Sequence, residues 1–106
     1  MEVSNKDWKL YREKLSQWQE AYMEKLIISY IQYLEGDASA STKFWELEKR
    51  IKRDRKNPGV LIEVNKQDMP FDLFRLICER VITVNDLEDF SDELKEGVKF
   101  LLERCG

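Results

Sequence analysis

Histidine is absent from this sequence. That excludes His-based catalytic triads, His metal sites and the side chain that ordinarily titrates near physiological pH. Glycine occurs 4 times and proline 2 times, too few for a sheet protein built on many tight turns. The 2 cysteines, Cys78 and Cys105, stand far apart, form no CxxC unit and are too few for a disulfide scaffold. They read as reduced thiols of a cytoplasmic protein. Cys78 lies on an apolar helical pattern and is expected in the core; with no histidine to activate it, a nucleophilic role has no support. Cys105, beside the C-terminus, is expected to be exposed and oxidisable. The longest uncharged apolar run, Leu26 to Leu34, is far short of the roughly 20 residues a membrane span needs. The N-terminal residues lack the apolar stretch of a signal peptide. Neither GxxxxGK[ST] nor GxGxxG occurs. The acid-rich run Asp86 to Asp92 lacks the glycine and ligand spacing of a calcium loop, and its acids suit helix starts instead. Carboxylate pairs such as Glu20 and Glu24 fall on a solvated helix face with nothing to desolvate them. No enzyme activity, cofactor, metal or small-molecule substrate is therefore expected.

What is present points to helices. The chain of 106 residues is one domain in size, 42% hydrophobic and 37% charged, with 18 basic against 21 acidic residues. Residues 5–35 hold no Gly or Pro and are rich in Lys, Leu, Glu, Gln and Met, all good helix formers. Ser4 or Asn5 can cap the start, Asp7 suits the first turn, and Gly36 is a stop signal. One helix of about 30 residues is predicted.

Its apolar pattern changes midway. Trp8, Tyr11, Leu15, Trp18 and Tyr22 are spaced 3-4-3-4, a heptad seam. The next seam positions, Lys25 and Ser29, are polar, and Met23, Ile27, Tyr30 and Leu34 take over, reinforced by Leu26 and Ile31. The buried face thus rotates near residue 23, implying two packing surfaces.

Further along, Ser41 or Thr42 is expected to cap a basic helix over 43–56, ended by Asn57-Pro58-Gly59. Val60 to Val64 has strand-like composition, but no second strand pattern is available to pair with it, so it reads as a short helical turn. Asp68 is expected to cap a core helix over 69–82, with Phe71, Phe74, Ile77, Cys78 and Val81 as its buried stripe, widened by Leu73 and Leu76. Thr83 and Asp86 form a capping arrangement for a short helix over 84–89, and Ser91 caps a last acidic helix to about Arg104 with Leu87, Phe90, Leu94, Val98 and Leu101 inward. The fold class is an all-α bundle of four to five helices in one domain spanning 1–106.

Geometry suggests where function lies. A 30-residue helix is about 45 Å long at 1.5 Å per residue, whereas a compact domain of this size is roughly 34 Å across. One end must outrun the body. The projecting end is expected to carry Trp8, Tyr11, Leu15 and Trp18, and something must cover them: a second copy, the C-terminal helix folding back, or another protein. Enrichment of aromatics in interface cores favours an intermolecular cover, with a homodimer the first expectation.

Charge is also segregated. Residues 43–58 carry seven basic against three acidic groups, and 83–106 carry seven acidic against three basic. On a helical wheel Phe44, Leu47 and Ile51 share one face of the basic helix, and Trp45, Lys49, Lys52, Arg53 and Lys56 the opposite one. Basic groups beside an aromatic ring could hold phosphates and stack a base. Against that, Glu46–Arg50 and Glu48–Lys52 are positioned for local pairing, and the pI is about 5.1. Docking of an acidic tail on this patch is a further option.

The stretches Asp7 to Arg12, Trp18 to Met23 and Phe44 to Glu48 resemble segments of small bacterial proteins of unknown function, over roughly the first half of the chain. The resemblance implies no activity and no functional residue. The expectation is a cytoplasmic, non-enzymatic protein–protein interaction module of the regulator or adaptor type, self-associating through Trp8, Tyr11, Leu15, Trp18 and Tyr22. The alternative is a helical nucleic-acid-binding regulator using Trp45, Lys49, Lys52, Arg53 and Lys56.

Overall fold

The computed structural model describes residues 2–105, the side chain of Cys105 excepted, so the expectation for that thiol lies outside the described residues. Among them are four α-helices, one 3-10 turn and no strand: α1 (Asn5–Leu34), α2 (Ala40–Asp54), α3 (Met69–Cys78), the 3-10 turn (Val84–Leu87) and α4 (Asp92–Cys105). Among the described residues no helix is long and apolar enough to cross a membrane.

Helix α1 runs unbroken for 30 residues because nothing in it stops a helix. Ser4 caps it, its hydroxyl accepting from the Asp7 amide at 3.1 Å. The molecule is correspondingly long, 52 × 27 × 21 Å, with a radius of gyration of 16.6 Å against about 13 Å for a compact chain of this length.

The rod outruns the body, but at its other end. The core is assembled on the N-terminal half of α1. Tyr11 and Leu15 are buried with Met69, Leu73, Phe74 and Leu76 of α3, Ile82, Leu87 and Phe90 of the 3-10 region, and Leu94 and Val98 of α4. Trp8 stacks on Tyr11 at 6.0 Å between ring centroids, and Trp18 on Phe90 at 6.4 Å. The C-terminal half of α1 projects, and α2 returns beside it as the second arm of a hairpin. The rotation of the apolar face near residue 23 marks the boundary: 3–18 serve the core, and 23–33 meet α2.

The N-cap of α2 is Ser39, whose hydroxyl accepts from the Thr42 amide at 3.3 Å. The helix therefore starts before the expected Ser41 or Thr42, since Ala40 is itself a good helix former, and it ends at Asp54 rather than Lys56. At Asn57 the side-chain oxygen accepts from the Gly59 amide at 2.8 Å, an Asx turn. Gln19 of α1 donates to the Pro58 carbonyl at 3.0 Å. Gly59 lies directly under Tyr22; a Cβ there would sit 2.5 Å from the Tyr22 ring and 2.7 Å from Val81. Residues 61–65 are neither helical turn nor strand. The expected helical turn fails because the Asx turn ends the local hydrogen bonding at Leu61, whose amide still reaches back to Asn57.

Helix α3 stops at Cys78 rather than 82. Arg80 takes the left-handed conformation (φ 61°), and the amides of Arg80 and Val81 bond back to the carbonyls of Ile77 and Leu76, a Schellman close made without glycine. The buried stripe of α3 is Met69, Asp72, Leu73 and Leu76, together with Phe74; Phe71 and Cys78 are exposed, correcting the expected stripe and the core placement of Cys78. Asp68 occupies the N-cap but makes no side-chain capping bond. The other two caps are as expected: the Thr83 amide donates to Asp86 at 2.7 Å, and Ser91 accepts from the Leu94 amide at 3.2 Å.

Candidate functional site

The first candidate surface is covered by the chain itself. Tyr11 is fully buried, Leu15 nearly so, Trp8 and Trp18 are packed against the core, and Tyr22 is half-buried over Gly59. The seam is the spine of the body, and its cover is α3, the 3-10 region and α4 of the same chain. Tyr11 and Leu15 are thus withdrawn into the core, and Trp8, Trp18 and Tyr22 keep part of their surface: a seam at heptad spacing states that a helix face is covered, without stating by what.

The open apolar surface lies on the hairpin. The positions of α1 that look toward α2 are half-buried Leu26, Tyr30 and Tyr33; those of α2 that look back are Glu46, Leu47, Arg50 and Asp54. Polar contacts hold the arms. The Tyr30 hydroxyl donates to Asp54 Oδ2 at 2.6 Å, and the Arg50 guanidinium lies 4.2 Å from the Tyr33 ring centroid while donating to Glu46 at 3.1 Å. Desolvation, together with the bond to Asp54, pushes the Tyr30 hydroxyl up to about 12. At Asp54 burial acts to raise the carboxyl, but the hydrogen bonds from Arg53 and Tyr30 outweigh it and hold it below its ordinary range.

At about 100° per residue, Ile27, Ile31 and Leu34 stand roughly a quarter-turn round α1 from the line of contact. Phe44 and Ile51 stand a quarter-turn round α2 on the same side of the hairpin. Ile27 and Ile51 both line a mainly apolar groove of about 230 Å³ there, with Met23, Leu26, Tyr30 and Val60 and the polar Asp54 and Arg55. Exposures are 55% for Ile27, 49% for Ile31, 63% for Phe44 and 42% for Ile51. Burying such a side chain fully is worth roughly 1.5–3 kcal/mol, so each half-covered one leaves on the order of 1 kcal/mol ungained. Five in a row, with Leu34, form an apolar patch of the kind that marks interaction sites.

No protein-family model matches this chain, and no curated protein or solved structure matches it.

The second candidate set lies on the outer side of α2 and just beyond it. Trp45, Lys49, Lys52, Arg53 and Lys56 are all exposed, and Trp45 meets Phe44 edge-on at 5.0 Å between centroids. Part of the charge is locally engaged: Lys52 pairs with Glu48 at 3.4 Å, Arg53 with Asp54 at 3.1 Å and Arg50 with Glu46 at 3.1 Å. Among the described residues no ion pair links the acidic C-terminal stretch to this helix; Asp89 pairs with Lys14 at 3.4 Å and Asp92 with Lys95 at 3.4 Å. No group of three His, Cys, Asp or Glu among the described residues is placed to hold a metal ion.

Helical spacing groups Phe44, Leu47 and Ile51 on one face of α2 and does not say that Phe44 and Ile51 stay exposed. Periodicity groups side chains on one face but does not tell a face that meets its own chain from one left open. The available signal was the change of seam near residue 23, which separates the half of α1 that builds the body from the half that does not.

Proposed function

We propose that this chain is a non-enzymatic protein–protein interaction module of the regulator or adaptor type, and that the projecting α1–α2 hairpin is its contact arm. The observation that carries the reading is the single apolar face formed by Ile27, Ile31, Leu34, Phe44 and Ile51, held outside the hydrophobic core on two helices braced by Tyr30–Asp54 and Arg50–Tyr33. A braced pair of helices presents such residues in fixed geometry, which lowers the ordering cost of binding. Photo-cross-linking in producing cells tests it. A photoreactive residue at Ile31 or Phe44 is expected to give adducts of discrete mass, identified as this chain or as another protein, while one at exposed Arg12 on the body gives none. Failure at both hairpin positions contradicts the reading.

The exposure of Trp45 beside Lys49 and Lys56 supports a second reading, contact with nucleic acid through the outer side of α2. Binding to mixed-sequence DNA and RNA across a salt series separates the two, because phosphate contacts weaken steeply with salt and apolar ones do not. The local pairing of Lys52, Arg53 and Arg50 and the acidic whole chain favour the protein partner.

A further inference from the structure

We propose that the occupant of the hairpin face is a second copy of this chain, the two hairpins packing as a four-helix bundle with their tips pointing the same way. This rests on the hairpin being the contact arm. The face suits a two-fold arrangement. It has two apolar ridges, Ile27–Ile31–Leu34 on α1 and Phe44–Ile51 on α2, with Ile27 and Ile51 both lining the shared groove. A two-fold axis running along the hairpin lays the α1 ridge of one copy on the α2 ridge of the other, as an isologous interface requires.

Charge selects this arrangement. Toward the body, helical spacing continues the α1 ridge as Glu20 and Glu24, and the α2 ridge as Arg55, which lines the groove. With tips together, these carboxylates lie against the Arg55 guanidinium of the other copy. With tips opposed, α1 crosses α1 in reverse, and Glu20 and Glu24 approach Glu35 and Asp37 of the other copy, like charge on like. Within one chain, and among the described residues, Glu20, Glu24 and Arg55 make no ion pair, whereas Arg50, Lys52 and Arg53 of α2 each find a carboxylate on their own helix. Lys43 and Lys49 of α2 make no ion pair among the described residues either, but of the basic groups Lys43, Lys49 and Arg55 only Arg55 lies on the groove.

Sedimentation equilibrium on the full chain, from about 10 to 200 μM, tests this. The expected result is a mass approaching twice 12.7 kDa. Ile31→Glu is expected to return the protein to monomer with unchanged far-UV circular dichroism, since Ile31 is already exposed in the single chain. Glu24→Arg and Arg55→Glu are each expected to weaken association about tenfold, and together to recover it to within about threefold of the original. A dimer indifferent to Ile31→Glu, or a double charge exchange with no recovery, overturns the proposal. A wild-type monomer throughout overturns the second copy as occupant but leaves the contact arm standing if cross-links form at Ile31 and Phe44; absence of both defeats the arm as well.

Discussion

Replacing Asp7 by alanine lowers the unfolding free energy by about 2–3 kcal/mol, measured by urea denaturation at neutral pH. In sequence Asp7 is an ordinary acid in the first turn of a helix, a place where charge is worth a few tenths to about 1 kcal/mol. In the fold it joins the two ends of the chain. Its carboxylate is 3% exposed and receives two bonds from Ser91: the amide at 2.9 Å to Oδ1 and the hydroxyl at 2.5 Å to Oδ2. The same hydroxyl accepts from the Leu94 amide and caps α4. Asp7 thus fixes the N-terminus of α1 against the N-terminus of α4 and places a negative charge where the α4 dipole favours it. Alanine removes the buried acceptor and leaves the Ser91 amide and hydroxyl without it. Ser91→Ala is expected to lose less, and the double variant little more than Asp7→Ala, giving a coupling of at least about 1 kcal/mol. A loss below about 0.5 kcal/mol for Asp7→Ala contradicts this role.

Replacing Asp72 by asparagine is expected to do the opposite and stabilise the protein at pH 7.5 by up to about 3 kcal/mol. The Asp72 side chain is 7% exposed, its Oδ2 has no hydrogen-bond partner, and its nearest cation, Arg75, is 4.0 Å away. Burial, with the neighbouring Asp68 carboxylate, raises it from 3.8 to about 6 against the weaker opposing pull of Arg75. Tyr11 faces the same problem. Its buried hydroxyl also lacks a partner, and burial together with the Asp72 charge pushes it above its ordinary range. Between about pH 4 and pH 6 the folded chain therefore holds a proton on Asp72 that the unfolded chain has released. Stability from this group is full below about pH 4, falls as pH rises to about 6 and stays low above that. A displacement of about two pH units corresponds to at most about 3 kcal/mol; the asparagine amide, which meets no partner where Oδ2 met none, gives back part of it, and the lost Arg75 contact subtracts little. Denaturation at pH 4.5 and 7.5 checks it: the wild-type difference attributable to Asp72 should vanish in Asp72→Asn. An asparagine variant less stable than wild type at pH 7.5 contradicts the account.

The local grammar of the chain was legible where short-range signals agree. A stretch without Gly or Pro gave α1 its length, Thr83–Asp86 and Ser91 their caps, and the i,i+4 acids and bases of α2 their pairs. The errors arise where several answers share one pattern. Helix α3 is apolar almost all round, with Phe71, Leu73, Phe74, Leu76 and Ile77 in seven positions, so periodicity cannot pick the face that α1 and α4 cover. Its end at Cys78 depends on Arg80 adopting a conformation that glycine usually signals. The Asp7–Ser91 tie spans 84 positions, and no local spacing encodes it. The projecting end was not legible for a similar reason: the length of α1 required one end to project, and both ends carry apolar residues. What decides is the number of partners each end finds later in the chain. Three later elements serve the first half of α1, and only α2 and the residues just after it serve the second.

Hydroxyl-radical footprinting of the dilute protein measures that division directly, because side chains react according to their access to solvent. Ile27, Ile31, Phe44 and Trp45 are expected to be modified readily, Tyr11 and Leu15 to be protected, and Trp8 and Trp18 to fall between. Ready modification of Tyr11 and Leu15, with Ile27, Ile31 and Phe44 protected, would mean that the chain buries its hairpin and presents its seam, and the account would be wrong.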